Sequence, residues 1–444
     1  MITQNKIVNN QDLTLADKLI VFGIFLDWLT YENIFFLDPE IYFGKIFLLL
    51  VYSFKLIFPF FFLVYAGFPK KESLSKARIG GYLIFFSLFI IWGLFPTVVS
   101  GIFVSWIKLL PVFVLFLATI SFFEKKPKAF NIYAKCLILY VLISLFQYCL
   151  VYIFRTFDPI GEQILVGPYG LFGNVAARRY IPSFEYPIIR LTGFWREPSN
   201  ASGSAYASFF LGLYLIKEGA SKRWKYFTML CFVAGLLTLS NAGYLAIGTA
   251  FLFRYLLKFN MKERTKFLPS MFVFFLVGVL FWLSLFSRSY FANQGTEYEL
   301  LLAMTGSESN ASENYDPSAG RFELMEYALE STSRNLIGAG IQPTDANGLL
   351  APANAPLFWF VMTGFLGLFF LIMMQITVFV SMKSIIKRSP NMLYIILAFI
   401  VVMMQQLIYG SWMDANFIIL TAIVLVGIKI NHGSSPKQIL INKS

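Results

Sequence analysis

Long apolar runs alternate along this chain with polar breaks, and most of the runs have the length a membrane-crossing helix needs. Spanning a hydrocarbon core of about 30 Å takes roughly 20 apolar residues. Runs of that kind fall at 18–37, 46–66, 79–103, 107–123, 132–154, 203–217, 224–240, 242–258, 267–286, 354–381, 393–410 and 412–430. The pattern predicts an all-α polytopic membrane protein with about 12 transmembrane helices, in a single domain over 1–444.

The polar breaks differ in charge. Lys70, Lys71, Lys76 and Arg78 follow the second run, and Lys125, Lys126 and Lys128 follow the fourth. Lys217, Lys222, Arg223 and Lys225 follow the sixth, Arg254, Lys258, Lys262, Arg264 and Lys266 mark the eighth, and Lys383, Lys387 and Arg388 the tenth. Short connections rich in lysine lie on the cytoplasmic side. Every even-numbered connection is of that kind, so both termini are expected in the cytoplasm. Lys45 and Lys108 fall on the other side, each near a membrane surface to which it can snorkel.

Most odd-numbered connections are tight, but 155–202 and 287–353 are long, and they are the predicted large extracytoplasmic loops. They contain no lysine. The first carries Arg155, Arg178, Arg179, Arg190 and Arg196, and the second carries Arg288, Arg321 and Arg334 beside nine acidic residues. Arginine's planar fork suits phosphate and diphosphate. Within the second loop, Phe322, Met325 and Leu329 recur at helical spacing, with Glu323, Glu326 and Glu330 off that stripe. A short amphipathic helix is predicted there, ending before Gly338-Ala339-Gly340.

Composition narrows the classes. A chain 58% hydrophobic and 14% charged, with mean hydropathy +0.68, is neither a soluble domain nor a disordered one. Its net charge of +12 is accounted for by the basic connections, which leaves no argument for nucleic acid. Cys136, Cys149 and Cys231 sit in or beside apolar runs and read as packing residues. The first 17 residues are polar and carry no signal-peptide core, so no cleavage is expected. The single histidine, His432, lies in the C-terminal tail. Chemistry in the membrane body then rests on carboxylates, arginines and hydroxyls, and no metal site or cofactor is expected.

The segment Arg190-Leu-Thr-Gly-Phe-Trp-Arg-Glu-Pro-Ser-Asn leads straight into the sixth run. Pro198 suits the first turn of a helix, and Glu197 and Ser199 offer capping chemistry. A helix N-terminus flanked by Arg190 and Arg196 suits a diphosphate; in the plainer reading, Arg196 and Glu197 pair and merely cap the helix. Arg321, and the Arg178-Arg179 pair, are further anion-binding candidates. Asp27 and Lys55 lie midway along the first two runs, where a lone charge costs roughly 2.5–3.5 kcal/mol. They are expected to form a structural ion pair, with a proton relay as the alternative. Gln405, Gln406 and Asp414 are candidates for a polar cavity.

With these residues in hand, the chain resembles the O-antigen polymerase/ligase superfamily, in particular the Wzy-type oligosaccharide repeat-unit polymerases. The resemblance rests on the span plan with two large outward loops and on three local patterns. These are Arg190, Gly193, Glu197, Pro198 and Ser199; the Ser318-Ala-Gly-Arg321 run followed by a helix and Gly338-Ala-Gly340; and the hairpin Leu239-Ser-Asn-Ala-Gly-Tyr244. Asn241 stands where relatives often have arginine, and Ala353-Asn354 stands where the ligase branch has a histidine, which disfavours the ligase. The resemblance implies a bacterial inner-membrane glycosyltransferase that polymerises polyprenyl-diphosphate-linked oligosaccharide units on the outer face. A flippase and a chain-length regulator would be its partners. Arg190, Arg196, Arg321, Arg178 and Arg179 would hold the diphosphate, and Glu197, with Glu323 and Asp316 next in order, would be the catalytic base. The alternatives are a ligase-like transferase and a flippase or transporter of lipid-linked oligosaccharide.

Overall fold

The computed structural model describes residues 13–31, 44–100, 106–107, 109–157, 180–181, 188–189, 191, 198–238, 240–258, 337–338, 355–408 and 413–428. Helices occupy every predicted run except 267–286, which lies outside the described residues. They are α1 (Leu15–Tyr31), α2 (Gly44–Ala66), the one-turn α3 (Lys71–Leu74), α4 (Ala77–Ser100), α5 (Leu109–Lys125), α6 (Ala129–Phe157), α7 (Pro198–Lys217), α8 (Arg223–Leu237), α9 (Asn241–Lys258), α10 (Ala355–Arg388), α11 (Met392–Ile408) and α12 (Ala415–Val426). Within α4, α6 and α10, Ala77–Val98, Ala129–Cys149 and Pro356–Arg388 are long and apolar enough to cross a membrane, with mean hydropathy of 1.9, 1.9 and 2.3. This is a multi-pass helical membrane protein.

One small departure from an all-α plan lies in the first long connection. Tyr180–Ile181 (β1) pairs antiparallel with Ile188–Ile189 (β2), Tyr180 opposite Ile189 and Ile181 opposite Ile188. Two residues a side give hydropathy no alternation to register.

Polar contacts gather the helix ends at two ends of the bundle. At the basic end, Asp17 in the first turn of α1 accepts a hydrogen bond from Tyr65 Oη at 3.0 Å and pairs with Lys126 at 3.2 Å. Lys76 and Glu124 pair at 3.0 Å, Lys125 donates to the Ala66 carbonyl at the end of α2, and Asn391 donates to Glu218 at 2.7 Å. Arg78 Nη2 donates to the carbonyl of Val426, the last residue of α12, at 3.0 Å. A β-carbon on Gly427 would stand 3.4 Å from Arg78 and 3.6 Å from Ile385 near the end of α10, so the connections after α2, α5, α7 and α10 share one end of the bundle.

The last helix is shorter than its apolar run. A helix spanning 412–430 is predicted; α12 has 12 residues, all of them buried, and is about 18 Å long at 1.5 Å per residue. A helix buried on every side and mostly apolar belongs in a bundle interior. Asp414 stops it at one end and Gly427, left-handed at φ 64°, at the other. Arg78 donates to the carbonyl of Val426, one of the last-turn acceptors that have no partner within the helix.

Packing around α7 depends on missing side chains. A β-carbon on Gly235 would stand 2.4 Å from the Tyr206 ring, and one on Gly243 would stand 2.4 Å from Ser202. Small residues let helix backbones approach closely where burial from water supplies no driving force. The α8–α9 hairpin is thereby pressed against the N-terminal half of α7.

The run 354–381 predicts an uninterrupted span, but α10 breaks at Gly364 (φ 67°, ψ −170°). The Trp92 indole N–H of α4 donates to the Thr363 carbonyl at 2.7 Å, which satisfies a group at the broken turn.

Candidate functional site

The sequence motif enters α7 from a segment tied down at Leu191. Its N–H donates to the Leu237 carbonyl at the end of α8 at 2.9 Å, and its side chain is buried. One residue separates Leu191 from β2, and that residue is Arg190. At the same end of the ladder, Tyr180, which pairs with Ile189, directly follows Arg179. The two-residue ladder therefore brings the chain positions next to Arg179 and Arg190 together.

Further along the chain, α7 begins at Pro198, the first-turn position that proline favours. The Ser202 hydroxyl donates to the Ser199 carbonyl at 2.7 Å. Asn200 accepts a hydrogen bond from the Gln405 amide of α11. The next residue, Gln406, donates to Asp414 Oδ2 at 2.7 Å and to Asn416 Oδ1 at 3.4 Å. Asn416 also accepts from the Phe417 N–H at 2.7 Å. Gln405, Gln406 and Asp414 are each at most 4% exposed. The α8–α9 turn closes the other side, where Ser240 Oγ accepts from the Gly243 N–H at 3.3 Å.

Buried amides and a carboxylate are costly unless hydrogen-bonded. Here three helix ends share them: α7 gives Asn200, α11 gives Gln405 and Gln406, and the start of α12 gives Asp414 and Asn416. The network fixes the entry of α7 against α11 and the start of α12. Amide and carboxylate groups of this kind also match the hydroxyls of a sugar. Ser199 Oγ is buried at the same helix start without a hydrogen-bond partner among the described residues.

Of the residues singled out from sequence, Gln405, Gln406 and Asp414 fall into one network. Asn200 and Asn416, which complete it, carry no signal of their own in the sequence. Arg178, Arg179, Arg190, Arg196, Glu197, Asp316, Arg321 and Glu323 lie outside the described residues. Lys55 is half-buried on α2, and the side chain of Asp27 lies outside the described set. The helices carrying those two cross in a definite register. Asp17 meets Tyr65, and a β-carbon on Gly23 would meet the Phe58 ring at 2.4 Å. Counting onward along antiparallel helices brings the Asp27 backbone level with residues 54 and 55.

The fold and this buried polar seat define a multi-pass membrane protein organised around one end of its helix bundle. Residues 226–372 match the family model described as O-antigen ligase, which supports membership of the chain in the O-antigen polymerase/ligase superfamily. The matched stretch runs from within α8 into the second half of α10 and begins after the Arg190–Ser199 motif. A comparison with curated proteins finds no match.

Proposed function

We propose that this protein is a polytopic inner-membrane glycosyltransferase that polymerises oligosaccharide repeat units carried on polyprenyl diphosphate, at the outer face of a bacterial inner membrane. The observation carrying this reading is the buried polar network at the start of α7, where Asn200 accepts from Gln405 and the next residue, Gln406, donates to Asp414; the arginine-bearing motif leads into α7 in the sequence. The family match to 226–372 supports a transferase of lipid-linked glycans.

In the proposed reaction, an acceptor sugar hydroxyl attacks the anomeric carbon of the donor glycan and the bond to the polyprenyl diphosphate breaks. The departing diphosphate gains charge, and preorganised cations nearby lower that barrier. Arg190 and Arg179, whose neighbours in the chain pair across the β1–β2 ladder, are the first assigned to that role, and Arg196, Arg178 and Arg321 are assigned to it after them. Glu197 accepts the proton of the attacking hydroxyl, and Glu323 and Asp316 are the next candidates. The span plan that accompanies this reading has both termini in the cytoplasm, with 155–202 and 287–353 outside.

A second reading is a transporter or flippase of lipid-linked oligosaccharide. It is favoured by the break in α10 at Gly364, since discontinuous helices build transporter sites. The surface-glycan gel of a deletion strain separates them. A single repeat unit retained on the surface, with the ladder gone, is the polymerase outcome. Loss of all attached glycan points to a ligase or flippase and overturns the proposal. In a complemented strain, Glu197→Gln should leave the single repeat and abolish chain growth. A normal ladder at equal expression would move the base to Glu323 or Asp316.

A further inference from the structure

The close of the second long connection is built into the bundle. Gly338 is buried, adopts φ 101°, and leaves no room for a side chain. A β-carbon there would stand 2.6 Å from the Gly364 nitrogen and 2.6 Å from the Met362 carbonyl oxygen. Both atoms belong to the broken turn of α10. At the same turn, Trp92 of α4 holds the Thr363 carbonyl at 2.7 Å. Two non-helical stretches, one from the connection and one from a spanning helix, therefore meet backbone to backbone, with an indole clamping the second.

The depth of this meeting matters. α4 continues beyond Trp92 to Ser100, about 12 Å further at 1.5 Å per residue. Non-helical backbone at such a level in a membrane is tolerated only where protein covers it. Each of the two stretches supplies cover for the other. A glycine is required at 338 on two separate counts, the left-handed backbone and the contact with α10.

We infer that the second long connection is re-entrant, and that Gly338 is a positioning residue keying it into the broken turn of α10. The keyed turn fixes the chain downstream of Arg321 relative to α4 and α10. Any contribution of that connection to the transferase site depends on this docking; that consequence rests on the proposed function, while the docking itself does not.

A spin label at Ile337, in a protein with Cys136, Cys149 and Cys231 replaced by alanine and reconstituted in bilayers, reads the depth directly. The label should collide with dissolved oxygen far more often than with a water-soluble nickel chelate, placing it below the aqueous surface. An aqueous ratio in that otherwise unaltered protein overturns the inference. Gly338→Ala should shift the label toward water and reduce the glycan ladder at least tenfold. Gly248→Ala, at a glycine whose β-carbon would meet nothing within 4 Å, should leave both unchanged. Trp92→Phe removes only the N–H that holds Thr363 and adds no bulk, so it decides the matter if Gly338→Ala does not fold. It should shift the label part of the way and weaken the ladder. Wild-type depth and ladder in both Gly338→Ala and Trp92→Phe would also overturn the inference. A deep label together with a normal ladder in Glu197→Gln would leave the docking standing and sink only the assignment of the base.

Discussion

The most fully satisfied charge among the described residues is Asp17. Burial alone raises its pKa, but hydrogen bonds from the Thr14 N–H, the Thr14 hydroxyl, Tyr65 and Lys126 outweigh that and hold it below the ordinary value of 3.8. Its bond from the Thr14 N–H measures 2.8 Å, and Thr14 Oγ1 accepts in return from the Asp17 N–H at 3.1 Å. This reciprocal capping box closes the start of α1, while Tyr65 and Lys126 tie it to the ends of α2 and α5. A carboxylate whose folded pKa is depressed contributes stability above its unfolded pKa and loses it as pH falls through the folded value. Asp17→Asn should therefore cost about 1.5–3 kcal/mol at neutral pH, the range for a charge-assisted hydrogen bond. The difference from wild type, read from thermal unfolding in detergent, should stay flat down to about pH 5 and close only below the ordinary carboxylate pKa. A difference that closed near neutral pH would show that Asp17 is not the group responsible.

At the scale of elements, the antiparallel register of α1 and α2 turns a sequence expectation into a sharper one. Asp17 meets Tyr65 and Gly23 meets Phe58, so the same count sets Asp27 level with Lys55. Asp27→Asn and Lys55→Met should each reduce folded protein in detergent, because each leaves one charge uncompensated at membrane depth. The double substitution should recover part of that loss. Strictly additive effects would mean that the two do not interact. Helix positions of this kind were legible in the sequence: 46–66 became Gly44–Ala66 and 107–123 became Leu109–Lys125. Two features were not. The brevity of α12 is hidden because an apolar run reads alike whether protein or lipid surrounds it, and burial decides where it stops. The break in α10 is hidden because Gly364 lies in an unbroken apolar stretch, and Gly338 and Trp92, which meet the broken turn, are distant in sequence. The site was legible to the same degree. Hydropathy marks Gln405, Gln406 and Asp414 as out of place in apolar runs, but it does not say that Asn200, on another helix, is the partner of the first.

For the whole molecule, the shared basic end is the strongest constraint on orientation. The ends of α2, α5, α7 and α12 and the turn between α10 and α11 meet there through Asp17–Tyr65, Asp17–Lys126, Lys76–Glu124, Asn391–Glu218 and Arg78–Val426. Chain reversal alone then puts the start of α7, the start of α10 and the start of α12 at the opposite end. Positive charge marks the cytoplasmic face, so 155–202 and 287–353 should be extracytoplasmic. Single cysteines at Ser183 and Ser309, in protein lacking the three natural cysteines, should react with a membrane-impermeant thiol reagent in intact spheroplasts. The cytoplasmic control needs care. Ser73 is buried and donates its hydroxyl to Glu124, so a cysteine there would stay silent on either side. Ser75, two residues on and exposed, is the informative position: it should label only after the membrane is permeabilised. Labelling at Ser75 in intact spheroplasts, with Ser183 and Ser309 protected, would invert the bundle and place the arginine-bearing segment in the cytoplasm. A polymerase that takes units already delivered across the membrane could not work from there.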